Sequence, residues 1–311
     1  MLSIVVPVLN EESSVGPLSE AVGSAMHGWR EDWELVFVDD GSRDDTAAKV
    51  EAVARDEPRV KLVRLARNYG QSAAMQAGFD HARGDTIVTM DGDLQNDPAD
   101  IPAMVGKLED GFDLVAGYRA GRQDKWLTRK LPSRAGNALV RIATGLSLRD
   151  TGCTLKAFRR ELLPSLRLYS DLHRFIPALA ASVAGARIAE VPVRHHARRF
   201  GRSKYGLSRA GRVLADLLTL VMLRRFEESP MRMFAAASLV AFGVSAGAAM
   251  LALAAAFDAY ESASTVVLSV IAACWLALGG FLTLAGLIAE SFVHDEPREQ
   301  FGRKFLRGIP G

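Results

Sequence analysis

Two long stretches without a charged residue constrain this chain more than any other feature of its sequence. Phe234–Phe257 holds 24 consecutive uncharged residues, and Thr265–Ala289 holds 25. Each exceeds the roughly 20 apolar residues that a helix needs to cross a bilayer. A pair of buried helices in a soluble protein is the alternative, but such helices rarely run so long without charge. We therefore expect a transmembrane hairpin over 231–291, with spans at about 234–257 and 265–289.

The charges around these spans predict how the chain is oriented. The loop Asp258–Ser264 has two acidic residues and no Lys or Arg, whereas the segments outside the spans are basic. Basic flanks stay on the cytoplasmic side, so we expect a multi-pass protein of the inner (cell) membrane. Its N-terminal domain and both termini, including the tail 292–311, would be cytoplasmic. Segment 209–230 mixes apolar residues with arginines, which favours an amphipathic helix at the bilayer surface; a helix packed on the domain is the alternative.

The first 208 residues follow a different pattern, in which short apolar runs alternate with polar helical stretches. The runs are Ser3–Val8, Glu34–Val38, Val60–Leu65, Thr86–Met90 and Asp113–Ala116. Helical patterns over 13–26, 45–55 and 71–82 separate the first four runs. Strands that alternate with helices predict an α/β domain with a largely parallel sheet. Ligands bind at the carboxyl ends of strands in such sheets, so the residues after each run are the candidates.

Composition excludes several classes of protein. Lys and Arg (38) nearly cancel Asp and Glu (36), which leaves a net charge of only +2. A nucleic-acid-binding domain is usually strongly basic, so we expect no nucleic-acid partner. The two cysteines, Cys153 and Cys274, exclude a disulfide scaffold and a four-thiolate zinc site.

Three motifs place acidic or polar side chains directly after predicted strands. They are Pro7–Glu12 after the first strand, Val38–Ser42 at the end of the second, and Met90–Gln95 at the end of the fourth. Together they predict a crevice lined with carboxylates. For Asp39 and Asp40, turn and helix-cap chemistry is the alternative explanation.

The third motif has the composition of a site for a divalent cation. Asp91 and Asp93 supply two oxygen ligands at close spacing, and Gln95 could be a third. Mg²⁺ commonly binds through one or two carboxylates together with substrate phosphates. We therefore expect Mg²⁺ or Mn²⁺ to bridge a diphosphate here and to offset the charge that develops as it leaves.

The ordered set of these three motifs resembles glycosyltransferase family 2. More narrowly, it is similar to the polyprenyl-phosphate glycosyltransferases, which include dolichyl-phosphate mannose synthases and bacterial undecaprenyl-phosphate enzymes. The resemblance runs from residue 1 to about 230 and implies the GT-A fold, a Rossmann-like nucleotide-sugar domain, over 1–208. It implies inverting transfer of a sugar from a nucleotide-sugar donor, with a UDP-hexose slightly preferred, to polyprenyl phosphate at the cytoplasmic leaflet.

The resemblance also implies a role for each matching residue. The implied nucleoside and nucleotide contacts are Pro7, Glu11, Val38, Asp40 and Gly92. The implied metal ligands are Asp91, Asp93 and Gln95, and the implied catalytic residues are Asp91, Asp93 and Arg119. The implied acceptor-phosphate contacts are Arg129, Ser133, Arg198 and Lys204. Leu9 stands where the family usually has Tyr, which removes a stacking contact to the base and leaves the nucleotide open.

The chemistry of such an acceptor explains why basic residues matter. A lipid monophosphate is mostly a dianion at neutral pH because its second pKa lies near 6, so no general base is required. The enzyme must instead hold two anionic phosphates together, and arginine offers a planar fork that fits phosphate oxygens in pairs. The basic cluster around Arg198 and Lys204 has a second explanation, which is attraction to anionic lipid headgroups.

Two other functions stay open as alternatives. A processive polysaccharide synthase is disfavoured, because two spans are too few for an obvious polymer channel. A non-catalytic membrane scaffold with the GT-A fold is disfavoured by the intact set of Asp91, Asp93 and Gln95. Small residues in the spans would permit helix association, so a homo-oligomer is compatible with the sequence.

Overall fold

The computed structural model describes residues 1–119, 146, 148–166, 168, 172–197, 230–257 and 262–294. The chain divides into two compact units, Met1–Leu220 and Val221–Gly311. Several expectations fall outside the described residues. They concern Arg129, Ser133, Arg198, Lys204, the interfacial segment up to residue 229, and the tail from residue 295.

The described strands of the N-terminal unit form one sheet. They are β1 Leu2–Val8, β2 Trp33–Asp39, β3 Val60–Arg64, β4 Thr86–Thr89, β5 Leu114–Arg119, β6 Lys156–Arg159 and β7 Ile188–Val193. The strand order is β3-β2-β1-β4-β6-β5-β7. Strand β6 runs antiparallel to both of its neighbours, whereas the other described pairings are parallel. The prediction of a largely parallel sheet is confirmed.

Helices cover both faces of this sheet. They are α1 Val15–Ala25, α2 Thr46–Asp56, α3 Gln71–His81, α4 Ile101–Glu109 and α5 Ile176–Ala184, with short 3₁₀ turns at Pro98–Asp100, Arg160–Ser165 and Leu172–Phe175. Neighbouring residues of β1 point to opposite faces, so Ile4 joins the core beneath α1 and α4 while Val5 joins the core beneath α3. Burial on both faces explains why β1 is apolar at every position except Ser3.

The register of β1 brings the three motifs to one edge of the sheet. Val8 pairs with Asp39 of β2, and Val5 pairs with Thr89 of β4. Because these strands are parallel, their carboxyl ends lie side by side. The segments after β1, β2 and β4 therefore share one edge, as the sequence predicted.

The second unit contains two long helices, α6 Pro230–Phe257 and α7 Ser262–His294. Each contains a 28-residue stretch long and apolar enough to cross a bilayer, with mean hydropathy of 2.1 and 2.2. Only 22% and 11% of the residues in their most apolar windows are buried, so most of this apolar surface faces outward. A core helix of a soluble protein would hide that surface, so the helices have the character of a membrane protein.

One boundary of the hairpin differs from the prediction. Helix α7 begins at Ser262, inside the segment Asp258–Ser264 that the sequence predicted as a loop, and it continues through Glu290. An apolar span ends at the first charged residue. The backbone hydrogen bonds of the helix can nevertheless continue into polar residues that are solvated by water or headgroups.

Polar and small residues join the two helices of this hairpin. The Ser238 hydroxyl donates to the carbonyl of Gly279 at 2.9 Å. The Ser245 hydroxyl donates to the carbonyl of Ala272 at 2.7 Å. A Cβ atom at Gly279 would lie 2.7 Å from Cε1 of Phe242, so glycine is what permits this close approach.

Candidate active site

The loop after β4 carries the two carboxylates predicted to bind a cation. Asp91 is partly buried, and its Oδ1 accepts a hydrogen bond from Nε2 of Gln71 at 2.8 Å. Asp93 is buried, and its Oδ1 accepts from the backbone N–H of Gln95 at 3.1 Å. Burial raises the pKa of Asp91, and the negative charge of Asp93 raises it further, although a hydrogen bond from Thr154 opposes the shift. The two carboxylates are therefore close enough to repel each other.

The backbone of this loop is shaped by two unusual positions. A Cβ atom at Gly92 would lie 2.7 Å from Cγ1 of Val8, so the loop packs on β1 only because residue 92 has no side chain. Leu94 has a φ of 61°, and Asn10 in the loop after β1 has a φ of 51°. Among the described residues these are the non-glycine positions with positive φ. Such backbone strain clusters at functional sites, where the surrounding structure holds it.

The carboxylate oxygens of Asp91 and Asp93 are suitable ligands for a divalent cation. Two mutually repelling carboxylates are the hard oxygen ligands that Mg²⁺ and Mn²⁺ prefer, and a cation would relieve their repulsion. Within the described residues, no third His, Cys, Asp or Glu completes a metal-binding group with them. The amide nitrogen of Gln95 donates to the carbonyl of His196 at 3.3 Å, so its side-chain oxygen is the atom that would serve as a further ligand. The protein would thus supply few ligands and leave the others to phosphate and water.

The loops after β1 and β2 contain the residues implied to bind the nucleoside. Asp40 is buried, and its carboxylate accepts from the backbone N–H groups of Tyr69 at 2.7 Å and Gly70 at 2.9 Å. Burial raises the pKa of Asp40, and these two hydrogen bonds work against that shift. Asp39 accepts from the backbone N–H of Ser42 at 3.0 Å, which is the turn chemistry that the sequence left as an alternative.

The other implied nucleoside residues occupy different positions. The side chain of Val38 is fully buried in the core beneath α3, so it shapes the strand end rather than facing the crevice. Pro7 is half-buried near the end of β1. Glu11 donates its backbone N–H to Thr46 at 2.9 Å and accepts from the Ser14 hydroxyl at 3.1 Å. The structure brings Pro7 and Glu11 to the expected edge, but not the side chain of Val38.

Arg119 lies at the end of β5 and is held by a carboxylate that the sequence reasoning did not select. Its Nε and Nη2 donate to the two oxygens of Asp150 at 2.6 and 2.9 Å. Burial alone would raise the pKa of Asp150, but the hydrogen bonds and charge of Arg119 outweigh it, and the pKa is lowered. A bidentate pair of this kind fixes the plane of the guanidinium.

Two more residues of the site were missed by the sequence reasoning. Gln71 begins α3, and no motif marked it. Lys156 is buried at the start of β6, and its ammonium donates to the carbonyl of Cys153. Burial lowers the pKa of Lys156, while the charges of Asp91 and Asp150 oppose that shift. No pattern in the sequence marks Lys156 as buried, although a buried charge is rarely left unpaired once the fold encloses it.

The segment after β7 is attached to the loop that follows β4. The backbone N–H of His196 donates to the carbonyl of Gln95 at 2.8 Å. The guanidinium of Arg194 contacts Asp100 at 2.8 Å and Asp97 at 3.2 Å. Residues separated by about 100 positions therefore meet beside the carboxylate pair. The predicted basic motif with Arg198 begins immediately afterwards, outside the described residues.

Comparison with protein families identifies the family to which the chain belongs. The model of "Glycosyl transferase family 2" matches residues 3–167, which include β1 to β6 and all of the loops described above except the segment after β7. The chain belongs to glycosyltransferase family 2. It is therefore a glycosyltransferase, and the family inverts the configuration at the transferred sugar.

Proteins similar to this chain include enzymes that are named for polyprenyl phosphates. The chain is 47% identical to dodecaprenyl-phosphate galacturonate synthase of Rhizobium johnstonii, over 83% of this chain and 77% of that protein. It is 38% identical to undecaprenyl-phosphate 4-deoxy-4-formamido-L-arabinose transferase of Pseudomonas fluorescens, over 99% of this chain and 91% of that protein. The predicted resemblance to polyprenyl-phosphate glycosyltransferases is confirmed.

Solved structures of a more distant protein show the same fold. Glucosyl-3-phosphoglycerate synthase from Mycobacterium tuberculosis, crystallised with Mn²⁺ and UDP-glucose, superposes with a TM-score of 0.56 and 24% identity. The match covers 72% of this chain and 78% of that chain. The predicted GT-A fold is confirmed.

Proposed function

We propose that this glycosyltransferase moves a sugar from a nucleotide-sugar donor to polyprenyl phosphate at the cytoplasmic face of the membrane. One observation carries the proposal. The same chain has the carboxylate pair Asp91 and Asp93 at the edge of its sheet and a helical hairpin with an exposed apolar surface. The names of the two relatives give the acceptor class, a polyprenyl phosphate. Their names also give two sugars, galacturonate and 4-deoxy-4-formamido-L-arabinose, so we propose a nucleotide-linked sugar of this kind as the donor.

Some residues at this edge of the sheet would contact the nucleotide-sugar donor, and others would contact the acceptor phosphate. Asp91 and Asp93 would hold a divalent cation, which when bound supplies positive charge beside the leaving diphosphate. Gln71 and Thr154 keep the carboxylate of Asp91 in one orientation. Asp150 holds the guanidinium of Arg119, which we propose contacts a phosphate. We propose Arg129, Ser133, Arg198 and Lys204 as further contacts to the acceptor phosphate.

The transfer itself would be a single displacement. A phosphate oxygen of the acceptor attacks the anomeric carbon, the bond from that carbon to the nucleoside diphosphate breaks, and the configuration inverts. The acceptor phosphate is mostly a dianion at neutral pH, so no residue has to remove a proton from it. Holding two anions in line, with preorganised positive groups around them, would provide most of the rate.

A transfer assay with isolated membranes tests this proposal. Membranes containing the overexpressed chain are supplied with undecaprenyl phosphate, Mg²⁺ or Mn²⁺, and a panel of radiolabelled UDP- and GDP-sugars that includes UDP-galacturonic acid. We expect one donor to label a lipid from which mild acid releases the sugar, and we expect EDTA to abolish the labelling.

Matched membranes without the chain give the background of this assay. Absence of labelled lipid with every donor, from a folded membrane-bound protein, would contradict the transferase proposal and favour the scaffold alternative. Labelling of a growing polymer instead of a single-sugar lipid would favour the processive synthase.

A further inference from the structure

We infer that Tyr69 and Arg67 form the surface on which the base of the donor nucleotide rests. Both lie on the loop between β3 and α3, which we call the 65–70 loop. The inference rests on the proposed function, because it assigns one part of the donor to that same edge. Neither residue belongs to the three sequence motifs.

The 65–70 loop lies directly against the turn after β2. Arg64, the last residue of β3, pairs with Asp39 of β2, so the loop starts at the edge that carries the motifs. A Cβ atom at Gly41 would lie 2.5 Å from the carbonyl carbon of Arg67, so the two backbones touch. The loop therefore belongs to the wall of the crevice at its β2–β3 end.

Asp40 fixes the backbone of this loop. Its carboxylate accepts from the N–H of Tyr69 at 2.7 Å and from the N–H of Gly70 at 2.9 Å. With both oxygens engaged inside the protein, Asp40 acts through the loop and is best described as a positioning residue for Tyr69. Gln71, the next residue along, contacts Asp91 at 2.8 Å. The loop thus connects the β2 end of the edge to the carboxylate pair.

Tyr69 is an aromatic side chain that the fold leaves uncovered. It is 53% exposed, and within the described part of the N-terminal unit it is the one large apolar side chain that is exposed. The guanidinium carbon of Arg67 lies 4.9 Å from the centre of its ring, which is the distance of a cation–π contact. The ring is therefore held in place without being buried, and a large part of it stays open to a planar ligand.

The chemistry of this pair matches a nucleobase. Every base presents a flat face that stacks on an aromatic ring, and removing such a ring weakens binding roughly 5- to 100-fold. The fork of Arg67 adds N–H donors for the carbonyl oxygens of a base or for the adjacent phosphate. Leu9, where the family usually has Tyr, offers no aromatic face. The 65–70 loop would supply that stacking contact from a different strand end.

Binding of base-containing and base-free ligands tests the inference. The full chain in detergent, with excess Mg²⁺, is titrated calorimetrically with UDP, GDP and methylenediphosphonate, a diphosphate analogue without a base. We expect Tyr69→Ala to weaken binding of the preferred nucleotide roughly 5- to 100-fold. Tyr69→Phe should bind within about twofold of the wild type, and methylenediphosphonate binding should not change in either variant.

The arginines offer a matched control. Arg59 lies 4.4 Å from the ring centre of Trp33, so Arg59→Ala removes a contact of the same type before β3. We expect Arg67→Ala to weaken nucleotide binding and Arg59→Ala to leave it unchanged. In the transfer assay, Tyr69→Ala should raise the donor KM and leave kcat nearly constant.

Several results would overturn the inference. They are wild-type affinity in Tyr69→Ala, equal loss of nucleotide and methylenediphosphonate binding, or no nucleotide binding by the folded wild type. Failure of the proposed function has a different signature. In that case nucleotide binding depends on Tyr69, yet no sugar reaches polyprenyl phosphate.

Discussion

At the scale of single residues, the two carboxylates of the Asp91–Asp93 pair are held in different ways. Asp91 is oriented by side chains from two other elements, Gln71 and Thr154. Asp93 accepts a hydrogen bond from the backbone of its own loop. Lys156 is buried nearby and interacts electrostatically with Asp91. The position of Asp91 therefore depends on residues from distant parts of the chain.

Asp93→Asn tests the carboxylate pair. The substitution keeps the shape of the side chain but removes a negative charge, so we expect kcat to fall by about 100-fold or more, the scale seen when one strong electrostatic contact is lost. The transfer assay measures the loss. Asp110→Asn is the matched control, because Asp110 is exposed beyond the end of α4 and pairs with Lys107 on the surface. Full activity in Asp93→Asn would remove this residue from the site.

Gln71→Ala tests how Asp91 is positioned. A hydrogen bond to a charged group contributes about 1.5–3 kcal/mol, so we expect kcat/KM to fall roughly 10- to 100-fold. Gln71→Glu should be worse, since it places a third carboxylate beside Asp91. Gln76→Ala, further along α3, removes hydrogen bonds to Asp80 and Leu168 and serves as control. Equal effects of the substitutions at 71 and 76 would indicate a general loss of stability instead.

At the scale of elements, close packing decides where the helices lie. Helix α3 lies on β1 at Gly78, where a Cβ atom would overlap Cγ1 of Val5. Helix α7 lies on α6 at Gly279, where a Cβ atom would meet Phe242. In both places the absence of a side chain sets the distance between the two elements. The distance between α3 and β1 in turn positions Gln71 at the start of α3.

Gly78→Ala should destabilise the N-terminal unit by about 1–3 kcal/mol, because the added methyl group overpacks the core against β1. Gly106→Ala on α4 is the control, since nothing lies within 4 Å of the added Cβ. The Gly106→Ala change should instead stabilise the folded unit by about 0.4–1 kcal/mol, because it lowers the conformational entropy of the unfolded chain. Urea unfolding of the purified protein measures both. A neutral Gly78→Ala would mean that Val5 can move aside without cost.

Gly279→Ala and Gly280→Ala form a second matched pair, on neighbouring residues of α7. A methyl group at 279 would push against the ring of Phe242, whereas nothing lies within 4 Å of one at 280. We expect the first variant to unfold at lower SDS fraction than the wild type and the second to unfold at the same fraction or higher. The reverse order would contradict the packing of the hairpin described above.

At the scale of the whole molecule, the chain combines a nucleotide-sugar fold with an apolar hairpin. Such a combination suits a reaction whose donor is soluble in water and whose acceptor is a lipid. The proposal requires the transferase unit and the phosphate end of the acceptor to be on the same side of the membrane. The basic segments outside the spans put both ends of the chain on the cytoplasmic side in this proposal.

Labelling of single cysteines tests this orientation. In a chain with Cys153 and Cys274 replaced, we expect Ser264→Cys to react with a membrane-impermeant maleimide in intact cells. Gly308→Cys should react only after the cells are permeabilised. The opposite pattern would reverse the orientation and place the carboxylate edge away from cytoplasmic nucleotide sugars.

The sequence alone was enough to predict the first five strands, the two long helices and the motifs at the sheet edge. Strands buried on both faces are mostly apolar, and helices in a bilayer are largely uncharged, so both can be recognised from the local sequence. Strand β6 was not predicted as an antiparallel insertion, because its four residues have no distinctive periodicity. Predicted bounds also differed by a few residues, since polar helix ends resemble loops.

Local sequence therefore determined which residues could carry the chemistry, and the tertiary structure decided which of them meet. Nothing in the sequence around Arg119 reveals that Asp150 holds it, or that Gln71 holds Asp91. The same holds for Tyr69, whose backbone is fixed by Asp40 while its ring stays exposed. Val38 shows the converse, since its motif implied a nucleoside contact and the fold buries its side chain. A motif specifies residue types along the chain, but distances between side chains arise only when strands and helices pack together.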